Sequence, residues 1–449
     1  MEAALTASFA TLTSVLSEEQ VVRDPAACAG VAVDGLAPQC LVLPRSEQEV
    51  AAVLRFASEQ KLGVIPCRNA TKLGFGNTPR RYDIALSLKE LNRVWRYEPD
   101  DLTVSVEPGM KLGDFQRFLA RRGLWIPLDP PGGARASLGG TVAANAQGPL
   151  RLKYGAPRDM VLGMRIATTE GKIVKTGGRV VKNVAGYDLG KLLIGSYGTL
   201  GVIVEINFKL FPLPAHRTTW RLAAPNLTQT REFRRALLSS PLGPLRTVTM
   251  DSEAAALVSG HEHDQAQSYE IRVEFGGTET VIRRSGEMLQ SMARALELSE
   301  TTLDGASAEA AWDRVADFES ALSSVFSRAV LVKASLPISA GEQFLELAGL
   351  EAAKEGTRTA CLNHSGVGIV YVGLLTQEVR PSLGGVTNSL RKAARRLGGA
   401  LVVLRSPAEL KRDIDVWGPP GDDFDLMRRL KEAWDPQGVL SPGRFVGGL

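Results

Sequence analysis

Side chains able to move a proton or hold a metal are sparse in this sequence. It carries four histidines in 449 residues. His261 and His263 stand in SGHEHDQAQS, whose polar neighbours read as a solvated loop, because a metal site needs three or four ligands fixed in space. His216 follows two prolines and reads as a linker residue. His364, in HSGVGIVY, stands alone, and a lone histidine reads first as a hydrogen-bonded or surface group. It is still a candidate for acid–base work. Arg444, in SPGRF, is a second catalytic candidate, since a guanidinium suits a carboxylate; a structural salt bridge is its other reading. Cys28, Cys40, Cys67 and Cys361 show neither C-x-x-C nor metal spacing, so no metal site is expected.

Where chemistry-bearing side chains are few, the main chain becomes a candidate ligand. Three stretches are built almost entirely of small residues: RNATKLGFG (68–76), LGGTVAANAQG (138–148) and GSYGTLG (195–201). Small residues let two backbones meet, or let a ligand lie on the main chain. Consecutive N–H groups in such turns form anion nests, and several that converge suit a diphosphate. The common nucleotide fingerprints fail. G-x-G-x-x-G breaks at Pro79, and Gly171-Lys172 is followed by Ile173 where a P-loop needs Ser or Thr.

The elements that must position these loops follow from periodicity. Residues 41–43 read as a strand, Ser46 and Glu49 as a capping box, and Val50, Val53, Leu54 and Ala57 as one helical face. A strand at 64–66 then runs into the first loop. Leu102, Val104 and Val106 alternate as a strand does, and Leu112, Phe115 and Leu119 suit a helix. Residues 160–177 read as two strands about a Glu170-Gly171 turn, and 202–210 as another. Pro212 and Pro214 mark a domain boundary. Beyond it, strands at 269–275, 329–336 and 368–374 alternate with helices near 278–297, 340–354 and 382–397, an α+β pattern; the charges of SLRKAARRLGG read as a solvated face. No tandem repeat of fixed period is visible.

Composition agrees with a globular chain of more than one domain: 44% hydrophobic, 23% charged and a net charge of +4. The scattered positive residues argue against nucleic acid. No apolar run reaches a membrane span, and the first twenty residues lack the basic start of a signal peptide. With few cysteines, a cytoplasmic location is the expectation.

Two long motifs carry a resemblance. LDPPGGARASLGGTVAANAQGPLRLKYGAPRDMVLGM and VVKNVAGYDLGKLLIGSYGTLGVIVEINFKLFPLP resemble the FAD domain of the vanillyl-alcohol oxidase / p-cresol methylhydroxylase superfamily, with weaker echoes in DVWGPP and DPQGVLSPGR. Within it, the similarity is nearest to the FAD-binding E subunits of bacterial glycolate oxidases. The resemblance implies an α+β fold: an N-terminal segment (1–39), a two-subdomain FAD-binding domain of the p-cresol methylhydroxylase type (40–214), a ferredoxin-like cap (215–425) and a C-terminal segment (426–449) returning to the FAD domain. It implies FAD held non-covalently, no histidine standing beside the first loop. The cofactor-binding positions it implies are Arg68, Asn69, Ala70, Thr71, Lys72 and Leu73 in the first loop and Gly139, Gly140, Thr141, Asn145 and Gly148 in the second. Gly198, Gly201, Val202 and Ile203 follow in the third. Tyr154, Asp159, Lys182, Asn183, Tyr187 and Asp188 match motif positions near the site, and Arg444 is brought near the flavin.

Two departures from the family pattern shape the expectations. Asn69 and Ala70 stand where glycines are usual, and alanine tolerates positive φ poorly. The H-x-G-D-G-N-x-H stretch, whose histidines bind a divalent metal in related 2-hydroxy-acid dehydrogenases, corresponds to residues 364–371, where one histidine remains. The implied function is the FAD-binding subunit of a glycolate (2-hydroxy acid) oxidase or dehydrogenase. A second flavin subunit and an iron–sulfur subunit are its expected partners, the chain having no cysteine array of its own. The complex would be cytoplasmic or peripheral to the inner membrane. A self-sufficient flavin oxidoreductase and a non-catalytic assembly subunit stand as alternatives.

Overall fold

The computed structural model describes residues 12–13, 15–178, 188–259 and 269–449. Lys182, Asn183, Tyr187 and the HEHD stretch at 261–264 lie outside them.

Helix Glu47–Glu59 is the centre of the first half. Val50, Val53, Leu54 and Ala57 share one face at i, i+3, i+4 and i+7 and are buried. They pack with Val42, Val64, Ile84 and Leu86 of one sheet and with Ala167, Val202 and Val204 of another. The first sheet has the order Val21–Val22, Cys40–Val42, Ile84–Ser87, Val64–Cys67, the last three parallel. The second is antiparallel, in the order Val94–Glu98, Thr103–Val106, Val202–Lys209, Val161–Ala167, Ile173–Gly177. The expected capping box is half made. Ser46 Oγ accepts from the Glu49 N–H, but Glu49 turns its carboxylate to the Arg45 N–H and to Gln20.

The chain end rejoins the first sheet. The Val64 N–H donates to the Val439 carbonyl and the Ser441 N–H to the Val64 carbonyl. Val439 and Leu440 are buried in the same core as the central helix.

The second half is one eight-stranded sheet made of two βαββαβ units. The first contributes the order Ser299–Asp304, His216–Ala224, Tyr269–Gly277, Arg246–Asp251; the second contributes Arg358–His364, Ile369–Leu375, Val330–Ser335, Ala400–Arg405. Arg246–Asp251 pairs antiparallel with Arg358–His364 and fuses them. Each unit has the ferredoxin-like order, so a structural duplication exists without a repeat in the sequence. Five of the eight strands escape the sequence pattern. Ser299–Asp304 is an exposed edge, which needs no apolar alternation. His216 opens a strand rather than a linker.

Helices Leu227–Ser239 and Gly341–Ala353 lie on one face of this sheet, joined by the buried Arg234–Glu342 pair. Helices Gly305–Ala316 and Phe318–Val325 lie on the other, which faces the first half of the chain. Across that seam Asp317 accepts from the Gly132 N–H and pairs with Arg135, while Glu319 pairs with Lys72. Deeper in, Arg246 donates to both oxygens of Glu274, stacks 4.3 Å over Trp312 and stands 3.6 Å from Asp129. All three charged residues are more than nine-tenths buried.

Removing one member of such a network leaves the others desolvated and unmatched. R246M is therefore expected to cost about 3–5 kcal/mol and to lower the thermal unfolding midpoint by several degrees. Differential scanning calorimetry measures this; an unchanged midpoint would show that the seam does not depend on the pair.

Candidate functional site

The three small-residue stretches converge on one cleft. Arg68, Asn69, Ala70, Thr71, Lys72 and Leu73 line it from the first loop. Gly139, Gly140 and Thr141 line it from the second, and Gly198, Gly201, Val202 and Ile203 from the third. The second is a short helix rather than a loop, Leu138–Ala143, whose N-cap Ser137 accepts from the Gly140 N–H. Its tight packing explains Gly139: a Cβ there would lie 2.5 Å from Pro108 Cβ. Gly198 has φ +70°, and a Cβ would press on Pro66.

Ala70 takes φ +57°. The loop thus keeps the left-handed turn that a glycine would make freely, and contacts around it hold the alanine there. The Arg68 side chain donates to the Gly109 carbonyl and to Asn69, and Asn69 donates to the Arg135 carbonyl.

The remaining motif residues lie outside the cleft lining. Asn145, at φ +45°, follows the short helix in the left-handed conformation that asparagine tolerates. Gly148 is small because a Cβ would strike the Asp129 carbonyl, and its N–H donates to Asp129 Oδ1. Tyr154 packs edge-on against Trp125 and Phe211. Asp159 caps helix Pro157–Met160 by accepting from the Ala156 N–H. Asp188 pairs with Lys191 at the surface.

Arg444 lines the cleft, and its guanidinium donates to the carbonyls of Leu73 and Phe75. It braces the first loop, where the sequence had offered a structural salt bridge as one reading. Its buried Nε has no hydrogen-bond partner. Lys411 Nζ donates to the Gly74 and Gly76 carbonyls and to Asp34. Phe75, Tyr197, Trp417 and Phe445 form a ring cluster with centroids 4.7–6.1 Å apart, pinning first loop, third loop and chain end together.

A second hollow adjoins the cleft. Pro131 lines both. The hollow is walled by Val315, Phe318, Leu331, Leu362 and Leu404, and its polar groups are Glu319, His364 and Tyr371. His364 is 3% exposed with its ring 5.1 Å from that of Tyr371, so the lone histidine is a core group and not a surface one. Burial, helped by Lys333 and Arg151, pushes its pKa down to about 3. The imidazole is neutral at any ordinary pH. Burial raises the Tyr371 hydroxyl above its usual range. Among the described residues no group of three His, Cys, Asp or Glu side chains is placed to hold a metal.

Glu319, Tyr371, Asp129 and Trp417 were not singled out from the sequence. Asp129 and Trp417 lie inside quoted motifs, LDPPGG and DVWGPP, so a signal existed. Glu319, in an ordinary amphipathic helix, offered none.

The cleft fits FAD. A backbone-lined trough, a left-handed non-glycine in the first loop and an orphaned arginine Nε are features of a site shaped for a large anion. Replacing Ala70 tests the strain. A70G should stabilise the protein by about 1 kcal/mol by removing the Cβ clash of the left-handed region, offset in part by the freer unfolded chain. A70V should lose more than that and bind FAD more weakly. Unfolding midpoints and FAD titration followed by flavin fluorescence measure both; equal affinity in A70V and the parent would show that this turn does not shape the site.

Residues 38–177 match the FAD binding domain family, and residues 213–401 with 419–445 match the C-terminal domain of FAD linked oxidases. Similar proteins include glycolate oxidase subunit GlcD of Bacillus subtilis, 25% identical over 91% of this chain and 89% of that one. A D-2-hydroxyglutarate dehydrogenase of Xanthomonas citri pv. viticola is 28% identical over 91% and 89%, and the mitochondrial D-lactate dehydrogenase (cytochrome) of Arabidopsis thaliana is 25% identical over 91% and 73%. In fold, p-cresol methylhydroxylase with substrate bound superposes with a TM-score of 0.78 over 99% of this chain and 97% of that one at 16% identity. Alkyldihydroxyacetonephosphate synthase gives 0.74 over 97% and 84%, also at 16%. With both halves of the chain matched in order, and with a backbone-lined cleft where the cofactor belongs, this protein is an FAD-dependent oxidoreductase of the FAD-linked oxidase family, with the fold of p-cresol methylhydroxylase.

Proposed function

We propose that the chain oxidises a small 2-hydroxy acid to the 2-oxo acid, as the flavin-bearing subunit of a glycolate oxidase-like complex. The observation carrying this reading is the meeting of the backbone-lined cleft and the polar hollow at Pro131. Three relatives named for glycolate, D-lactate and D-2-hydroxyglutarate support the substrate class. When bound, FAD supplies the two-electron acceptor for the substrate's α-hydrogen.

The chain's own groups would do the rest. The first loop, the short helix Leu138–Ala143 and the Gly198–Ile203 segment hold the cofactor, and Pro131 separates it from the hollow. His364, held neutral, donates its one ring N–H to the substrate hydroxyl oxygen. Glu319 is the carboxylate on the hollow wall able to take the hydroxyl proton. The salt bridge to Lys72, 2.8 Å long, fixes Glu319 while tying it to the first loop. Apolar walls exclude water around the reacting carbon.

Electrons would pass to a second flavin subunit and an iron–sulfur subunit. Several relatives are named simply as dehydrogenases, which favours a second reading in which this chain works alone. Among the described residues no helix is long and apolar enough to cross a membrane.

The visible spectrum of the purified protein, before and after anaerobic glycolate or D-lactate, tests the proposal. Flavin bands bleached by either acid establish hydroxy-acid oxidation by the isolated chain. Bands that bleach only after partner subunits are added establish the complex. A protein that stays colourless with added FAD overturns the catalytic reading. E319Q should keep its FAD and slow bleaching at least about 100-fold, the size of a lost general base.

A further inference from the structure

The first loop lines a cleft shaped for a diphosphate, yet both of its cations are engaged elsewhere. Arg68 donates to the Gly109 carbonyl and to Asn69. Lys72 reaches across the seam, where its Nζ donates to Glu319 Oε2 at 2.8 Å. The main chain of such a loop can hold an anion by itself. A lysine there that turns to a carboxylate of the cap has a different duty. With side-chain exposures of 24% and 21%, the pair is too wet to contribute much stability. Its value is positional.

The pair does not stand alone. Asp317, two residues before Glu319, accepts from the Gly132 N–H at 3.2 Å and pairs with Arg135 at 3.0 Å. Asn69, three residues before Lys72, donates to the Arg135 carbonyl. Contacts 69–135, 135–317 and 319–72 thus close a ring through the first loop, the segment 132–135 and the junction of two cap helices. A ring holds its members more firmly than one pair does, because shifting any of them strains contacts on both sides. Asn69 and Lys72 line the cleft, and Glu319 lines the hollow. After burial and Asp129, the Glu319 charge helps push the Tyr371 hydroxyl up, so the two groups share the hollow. Lys72 takes Oε2; among the described residues Oε1 accepts no hydrogen bond.

We propose that Lys72 is the positioning residue of Glu319, and that the ring through Arg135 and Asp317 joins cofactor loop and base into one unit, held in place when FAD fills the first loop and loose when it does not. The assignment rests on the reading above in which Glu319 takes the hydroxyl proton. In that step the substrate O–H bond breaks and a bond from the proton to Oε1 forms, while the α-hydrogen leaves with two electrons for bound FAD. The proton then passes to water, which the partly exposed Glu319 meets. By linkage, FAD stabilises helix Phe318–Val325, none of whose residues lines the cleft.

Amide hydrogen exchange of the apo and FAD-loaded protein reads this coupling without turnover. FAD should slow exchange in residues 318–325 of the parent about fivefold, the low end of coupling between two sites. At saturating FAD, K72M should lose that protection and K72R should keep most of it. R135M, whose side chain is 66% exposed and outside the cleft lining, opens the other arm and should lose it in part. Exchange in the parent that ignores FAD overturns the assignment. So does protection kept in full by K72M or, should K72M not fold, by R135M. Anaerobic flavin reduction by glycolate or D-lactate is the second readout. K72M should slow it roughly tenfold at unchanged half-saturation, the effect of a misplaced base, with K72R restoring it. If K72M reduces at the parent's rate, the positioning role falls and oxidation stands. If K72M loses the protection while no 2-hydroxy acid bleaches the parent, the coupling stands and the oxidation reading falls.

Discussion

The site depends on two cations that hold the carbonyls of the first loop. Arg444 takes the carbonyls of Leu73 and Phe75, and Lys411 takes those of Gly74 and Gly76. In a trans peptide the C=O and the following N–H point in opposite directions. Tying the carbonyls to the rear therefore turns the Gly74 and Gly76 amides away from the guanidinium. A loop that would otherwise be free to present either edge of its peptides is fixed in one orientation. Both cations come from the far end of the chain. The first loop cannot take its shape until residues 411–444 have folded back onto the domain that contains it.

The same economy of rigid contacts governs the seam. Asp129 binds the N–H groups of Gly148 and Leu150 at the exit of the second small-residue stretch and faces Arg246 of the cap sheet. Burial pushes its carboxyl up to about 7, against the pull of Arg246 and the two amides. Arg246 and the amides favour the ionised form, and the geometry of three close cationic or N–H partners is that of a carboxylate rather than an acid. A charge network that relies on partners from both domains sets their relative position, and with it the distance from the cleft to the hollow.

Much of the flavin half was legible because its constraints are local. The alternation in 103–106 and 202–209 and the helical face of 47–59 each state their own structure, and the small-residue stretches mark where the cleft lies. The second stretch was misread as a loop because glycine and alanine carry no amphipathic pattern; its N-cap Ser137 was the available clue. The braces were not legible. Arg444 and Lys411 find their partners more than three hundred residues away, and nothing in either segment names the other. In the cap, strands such as Arg246–Asp251, RTVTMD, mix buried charge with apolar residues, so burial there obeys ion pairing more than hydrophobic period.

That mixture explains how a functional face is built without loop motifs. The cap sheet has two buried faces, one sealed by the outer helices and filled with Val330, Val332, Val370 and Val372, the other turned to the flavin domain. Every second residue belongs to the second face, and there the strands carry Arg246, Glu274, Lys333, His364 and Tyr371. A register slip by one residue would exchange the two sets, driving lysine and arginine into an apolar core. The valine face thus fixes the polar face. Positions 364 and 371 are set against one another by the ladder to within the tolerance of a β-sheet, a firmer support than any surface loop provides. The chemistry of the hollow follows from the packing behind it.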